Sequence, residues 1–531
     1  MSQKKAKKFG LWTAISLIIG SIVGIGIFFK NIPIFSSAGG NGVVILLAWI
    51  FAGLIALGAA LAFSEIGTGV HGKAGLSNYV YKLVGKKFGK LCKIVEPTFY
   101  HSLLIFALTC YASEAFLQAV LPNTISISSP TVHMGYVILL SAGIYLFFWV
   151  LTIISTKAIG IIQNISVILK FIPLVIVAVV GLVGINGIHS GSVFTSGNWI
   201  PADGNKPHLV SEFSFSALIM ILPAALFAFD GFIHVTNIAT DIENPKKNVP
   251  LGIIIGMSGV LVLYLLITLA QLITGQSNPS RLLSSIVSSE HARQIIARLL
   301  NIFIAIAALG VCNGFIMSQV RSTEAAIEEN LLLGSKLFKK KLPKLYGFVY
   351  TLMIYMIVAI IIGIPAIIMD SDSIIDASSN YPVLFFFMLY TVLIISQMIN
   401  RLKIKKISFK NKKIHIEKYE KQKVETKNIN PWLFYPLAII SIIGIILSIG
   451  YEIFYASLWL VITDPMGQTH YGVFHGATKI LNYQAAIIFF ITLITFITLP
   501  ITIYKIQIKR GHIKADTKET NKKLTKENKD L

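Results

Sequence analysis

Charge is what this chain has least of. Only 13% of its 531 residues are charged, 55% are hydrophobic, and the mean hydropathy is +0.74. A soluble protein this apolar would not stay in solution, which excludes the ordinary soluble enzymes and binding modules. Cysteine is nearly absent. Cys92, Cys110 and Cys312 fall in or beside apolar runs, lack metal-ligand spacing and imply no disulfide framework. The sequence also lacks a Walker loop, an HExxH zinc motif and a Rossmann fingerprint in context. Its longest internal hydrophilic stretch, 401–430, is too short for the nucleotide domain of an ATP-driven pump. No cofactor is expected.

Long uncharged runs are what remains. Twelve are long enough to cross a bilayer, at about 11–36, 43–66, 95–121, 134–155, 160–185, 213–239, 250–274, 296–320, 346–369, 381–400, 432–453 and 481–504. The opening MSQKKAKKFG followed by an apolar run is signal-peptide-like, but the run is too long and has no small-residue cleavage site, so it reads as a retained first helix. The net charge of +22 would suit nucleic acid, but its distribution argues for topology instead. With both termini on one side, 39 of the 46 Lys and Arg fall on that side, and about 5 on the other, where Asp370, Asp372 and Asp376 are assigned to a loop. This is the positive-inside pattern, so both ends are expected in the cytoplasm of a cell-membrane protein that contacts lipid and binds no nucleic acid.

Two of the runs carry weak points at mid-depth. The first reads IIGSIVGIGIFF over 18–29, with Gly20, Gly24 and Gly26 inside seven residues. Glycine weakens a helix by roughly 1 kcal/mol against alanine. The sixth contains FAFDGF over 227–232, with Pro223 upstream and Asp230 near its centre. A carboxylate there costs roughly 2.5–3.5 kcal/mol on insertion scales. The weak points lie five spans apart, and an odd number of spans inverts orientation, as in an inverted-repeat transporter with its substrate at the breaks. Unwinding bares amide N–H groups for a carboxylate and carbonyls for an ammonium, which together suit a zwitterion. Gly20-xxx-Gly24 is also a helix-packing motif, and that reading stands beside the first.

These motifs carry a family resemblance. IIGSIVGIGIFF resembles the first-helix motif of the amino acid–polyamine–organocation superfamily, commonly I-G-x-x-x-G-S-G-I-F. FAFDGFIHVTNIATDIENPKKNVP resembles its sixth helix and following loop, commonly F-A-Y-D-G-W…E-x-x-N-P-x-R-x-x-P. ALAFSEIGTGVHGKAGLSNYVYKLVGKKFG resembles the second helix and first cytoplasmic loop, and ALGVCNGFIMSQVRSTEAAIEEN the eighth helix. The resemblance covers about 10–400. It implies an all-α integral membrane protein of the leucine-transporter fold: a 5+5 inverted repeat (about 11–186 and 212–400) with helices 1 and 6 broken, then two more helices over 431–504. Basic segments at 1–10, 401–430 and 505–531 are expected to be cytoplasmic.

The resemblance also implies site residues. The N–H groups of Gly24, Ile25 and Gly26 would take a substrate carboxylate. Carbonyls of Ile22, Phe227, Ala228 and Asp230 would take its ammonium, and Phe227 would gate the site. Where the family usually has G-S-G, this chain has Gly24-Ile25-Gly26, so a helpful hydroxyl is missing. Lys170 sits roughly 15 Å into the fifth span, beyond the reach of snorkelling, and intramembrane charges of this kind are functional by default. In several family members a lysine at the matching position occupies the space of a sodium ion. Residues 302–312 agree, having no Ser or Thr to serve as sodium ligands. The alternative is a lysine that braces the fold.

Weaker signals complete the reading. Glu65 is expected to be solvated at the inner interface, with a gate role as the alternative. Asp241 and Glu243, facing Lys246 and Lys247, form either a gate ion pair or a solvated loop. Glu114 and His101 are assigned to packing or helix ends, and Arg293 and Arg298 to an external loop helix acting as a lid. His470 and His475 make a poor metal pair. The expected activity is sodium-independent transport of an amino acid by a permease or exchanger. The rivals are a polyamine or cationic amino acid transporter of the same fold, a membrane enzyme or lipid-handling protein, and a non-transporting nutrient sensor. Cargo identity, coupling and oligomeric state are not encoded in any motif found.

Overall fold

In the computed structural model, the residues described are 10–38, 41–69, 75–121, 134–183, 198–199, 208–209, 213–232, 242–274, 282, 289–410, 429–470 and 479–513. Nearly all of them are helical. Two short antiparallel ladders, Asn198–Trp199 with His208–Leu209 and Gln468–His470 with Lys479–Leu481, are the strands among them.

Nine helices among the described residues are long and apolar enough to cross a membrane. They are Gly42–Thr68, Lys86–Val120, Met134–Ile154, Pro245–Ile273, Glu290–Glu328, Tyr346–Met369, Ser373–Leu402, Pro431–Thr463 and Asn482–Lys509. The chain is therefore a multi-pass membrane protein. The remaining three expected spans hold a 28-residue helix, Thr156–Val183, and two interrupted segments. Backbone polar groups in lipid must be paired within the segment, which is why the apolar runs wind into helices.

Three helix boundaries differ from the sequence reading. The third span begins at Lys86, two to three turns early, and passes through a π-helical turn at Glu96–Tyr100. The helix Glu290–Glu328 includes Arg293 and Arg298, so these residues open a long span and do not form a separate lid. The tenth span starts at Ser373, which puts Asp376 on a helix and buries both Asp372 and Asp376. Asp370 and Asp372 do lie in the connection before this helix, and the loop assignment fails for Asp376 alone, because a helix N-terminus accepts acidic side chains.

One contiguous apolar core runs through the helices. Gly42–Thr68, Lys86–Val120 and Ser373–Leu402 are the most enclosed, whereas Asn482–Lys509, Pro431–Thr463, Tyr346–Met369 and Met134–Ile154 present exposed Ile, Leu and Phe outward. That gradient, apolar outside as well as inside, matches a hydrocarbon solvent.

Candidate functional site

The first segment winds over Leu11–Ile22, stops, and resumes over Ile25–Phe29. Val23 is extended (φ −67°, ψ 107°), and Gly24 takes φ −152°, ψ −139°, a ψ that belongs to neither helix nor sheet. The second segment winds over Phe215–Met220 and Leu222–Phe229, then ends at Asp230, which is extended. Gly231 has φ +107°, open to glycine at little cost.

The two interruptions face each other. A Cβ on Gly26 would lie 2.4 Å from the Cα of Ala228, so the two backbones touch where the glycine leaves room. A Cβ on Gly24 would meet Val311 Cγ2 at 2.7 Å on the Glu290–Glu328 helix. The carbonyls of Ile22 and Ala228, one from each break, converge on a single atom. The Tyr264 hydroxyl donates to Ala228 O at 3.2 Å and to Ile22 O at 3.4 Å. One proton serves both, so each carbonyl keeps spare lone-pair capacity.

A cavity of about 30 Å³ lies between the breaks. Ile22, Gly24, Gly26, Phe227, Ala228 and Asp230 line it, together with Leu104, Leu108, Val311 and Phe315. Six of the seven expected substrate contacts are thereby brought to one space. Ile25 begins the resumed helix, where first-turn amides have no intrahelical acceptor. The Phe227 carbonyl accepts from Asp230 N at 3.3 Å. Asp230 Oδ2 accepts from the Tyr100 hydroxyl, and Tyr100 is fixed by stacking on Phe386 at 3.9 Å.

Lys170 is buried and donates to the Gly20 carbonyl, one turn before the first break. Beside it, a Cβ on Gly310 would strike Ser166 Oγ at 2.2 Å, so this helix and Glu290–Glu328 are in tight contact.

Sequence reasoning overlooked Lys30, although a lysine inside an apolar run was a visible signal. Lys30 is fully buried and pairs with Asp376. Its other two donors go to Ser379 Oγ at 2.9 Å and Asn380 Oδ1 at 2.7 Å. The Tyr111 hydroxyl adds a bond to Asp376 at 3.0 Å. The Lys30 ammonium stands 4.1 Å above the Phe227 ring, a cation–π contact that ties this cluster to the cavity wall. Next along the chain, Asn31 accepts from Trp49 Nε1 at 3.0 Å and donates to Gln271, which anchors the first segment to two neighbouring helices.

Glu65 is not solvated. It is fully buried and held by Arg401 in a bidentate pair, Nε to Oε2 at 2.8 Å and Nη2 to Oε1 at 2.7 Å. Gln397 adds a third bond at 3.0 Å. Arg401 also donates to Ile429 O at 3.0 Å and stacks over Phe434 at 3.7 Å. A carboxylate at the end of the second span looked like an interface residue, and its partner lay 336 positions away. Glu243 is exposed, with its carbonyl accepting from Asn248 at 2.6 Å, and Asp241 lies outside the described residues, as does His475. His101 and Glu114 are both buried, and His101 sits between Ser318 and Ser322 at 3.4 Å from each.

A family model described as amino acid permease matches residues 9–474. The serine/threonine exchanger SteT of Bacillus subtilis is 28% identical over 330 residues, 61% of this chain and 69% of that protein. The mouse b(0,+)-type amino acid transporter 1 is 25% identical over 395 residues, 72% of this chain and 74% of its own. The human cystine/glutamate transporter is 24% identical over 330 residues, 61% and 62% respectively.

Proposed function

The chain belongs to the amino acid permease family, and on that premise we propose that it is a secondary transporter carrying an amino acid across the cell membrane by alternating access. The observation that carries this reading is the convergence of Ile22 O and Ala228 O on the Tyr264 hydroxyl, at the mouth of neither segment but at both breaks. Carbonyls gathered this way suit an ammonium. The amides of Gly24, Ile25 and Gly26 suit the carboxylate of the same molecule. No covalent step is needed, because transport is work done by differential binding to two states.

Within this reading the twelve spans form two inverted five-helix repeats plus two, with both termini in the cytoplasm. Lys170 serves where a sodium ion would otherwise brace the first break, which its bond to Gly20 O supports. Transport is then sodium-independent, by exchange or with protons. The name of the Bacillus relative, an exchanger, favours exchange. Phe227 with the Lys30–Asp376 pair closes the side away from the basic loops, and Glu65 with Arg401 closes the basic side.

A second reading rests on Asp230. Its Oδ1 has no hydrogen-bond partner among the described residues, and the residue lines the cavity. A free carboxylate oxygen there favours a cationic cargo, a basic amino acid or polyamine.

The test is uptake of a labelled amino-acid panel into proteoliposomes, with sodium and pH gradients varied independently and internal amino acid present or absent. Uptake that persists without sodium and rises with internal substrate supports exchange. An absolute sodium requirement contradicts the Lys170 assignment. Competition by arginine or putrescine in place of neutral amino acids selects the second reading.

A further inference from the structure

A second cavity, of about 50 Å³, lies apart from the one between the breaks. It is enclosed by Asp376 and Asn380 of the Ser373–Lys410 helix, Glu452 and Ser457 of the eleventh span, and the Pro33–Ser37 end of the first segment. We propose that this cavity is a binding site for a small monovalent cation, an alkali ion or a primary ammonium head, with the Glu452 carboxylate as its counter-charge.

The charge balance argues for it. Glu452 is only 5% exposed, and among the described residues it makes no hydrogen bond or ion pair. The cation across the cavity wall does not serve it. An ammonium has three donors, and Lys30 spends them on Asp376, Ser379 and Asn380. Lys30 and Asp376 cancel, so with Glu452 ionised the lining keeps one net negative charge. A buried carboxylate without a partner is expensive, and a bound cation removes that cost.

Backbone geometry points the same way. Residues Tyr451–Trp459 are π-helical. Winding i to i+5 stacks Glu452 and Ser457 on one face, whereas α-helical winding would set them about 140° apart. Ser457 is also buried, and it lines the same cavity as Glu452. Single π-turns inside longer helices are frequent at functional sites. The volume admits roughly three or four water-sized groups, which fits a partly hydrated alkali ion or a methylammonium-sized head. This cation is distinct from any ion at the first break, where Lys170 stands, so its binding need not drive transport.

The experiment uses the full chain, purified, with thermal unfolding followed while sodium, potassium or methylammonium replaces N-methyl-D-glucamine at constant ionic strength. The wild type is expected to show a saturable rise in midpoint with at least one of them. Saturation by sodium or potassium assigns an alkali ion, and saturation by methylammonium alone assigns an ammonium head. Glu452→Gln is expected to weaken the response at least tenfold, and Glu452→Asp to retain part of it. A wild type without a saturable response, or an unchanged titration in Glu452→Gln, overturns the proposal. Should Glu452→Gln not fold, Ser457→Ala carries the test: about threefold weaker affinity is expected, and an unchanged affinity overturns the site. Uptake by wild-type proteoliposomes reports separately on the transport reading.

Discussion

Tyr264 reaches across to Ala228: its hydroxyl donates to the Ala228 carbonyl at 3.2 Å, and the same oxygen lies 3.4 Å from Ile22 O. One side chain on the Pro245–Thr274 helix thus spans both interruptions. Removing the hydroxyl leaves two buried carbonyls short of a donor, a loss of about 1–3 kcal/mol. Tyr264→Phe is expected to fold with a lower unfolding midpoint. Because the breaks lose their common tether, KM for the amino acid should rise about tenfold, roughly 1.4 kcal/mol. Uptake kinetics check this, and an unchanged KM contradicts the tether.

Gly26 and Gly24 differ in what they touch, and their alanine variants should differ accordingly. Gly26→Ala would drive a Cβ to 2.4 Å from the Ala228 backbone, which cannot yield without separating the segments. Gly24→Ala meets only the tip of Val311. Binding of the amino acid is expected to vanish in Gly26→Ala and to weaken in Gly24→Ala, with Val311→Ala restoring the latter. Equal defects in the two variants, measured by equilibrium binding, would count against the contact geometry.

The Lys30–Asp376 pair is buried on both sides. Breaking one partner strands a charge, at about 3–5 kcal/mol, whereas replacing both with apolar residues of like volume is often neutral. Lys30→Met and Asp376→Leu should each lower the unfolding midpoint sharply, and the double variant should recover most of it. If the pair also gates the site, the recovered double variant still transports poorly. Thermal unfolding and uptake on the same preparations separate the two effects.

Arg401 uses its planar fork on Glu65 and its face on Phe434, and lysine can do neither at once. Arg401→Lys is expected to cost about 2 kcal/mol, the scale of a charge-assisted hydrogen bond. Hydrogen exchange should then rise at Ile429, whose carbonyl Arg401 holds at 3.0 Å. Unaltered exchange there would show that the linker end is held by other contacts.

Much of this was written in the sequence, and the reason is depth. Glycines and a carboxylate at mid-membrane are costly enough to stand out, so both breaks were legible, as was Lys170. The partners that organise them were not. Tyr264, Tyr100 and Tyr111 are ordinary residues of apolar helices until a fold sets their hydroxyls against Ala228, Asp230 and Asp376. Glu65 and Arg401 meet only because helices distant in sequence pack together. The π-turn that aligns Glu452 with Ser457 leaves no period in the sequence, since one extra residue per turn is absorbed locally.

The central claim is that an amino acid lies between the two interrupted segments. It is tested most directly by an experimental density map of the protein bound to the amino acid that the uptake panel identifies. The account predicts ligand density between Gly24–Gly26 and Phe227–Asp230, its carboxylate on the amides of Ile25 and Gly26 and its ammonium near Ile22 O and Ala228 O. Density elsewhere, with that space empty or filled by side chains, contradicts it.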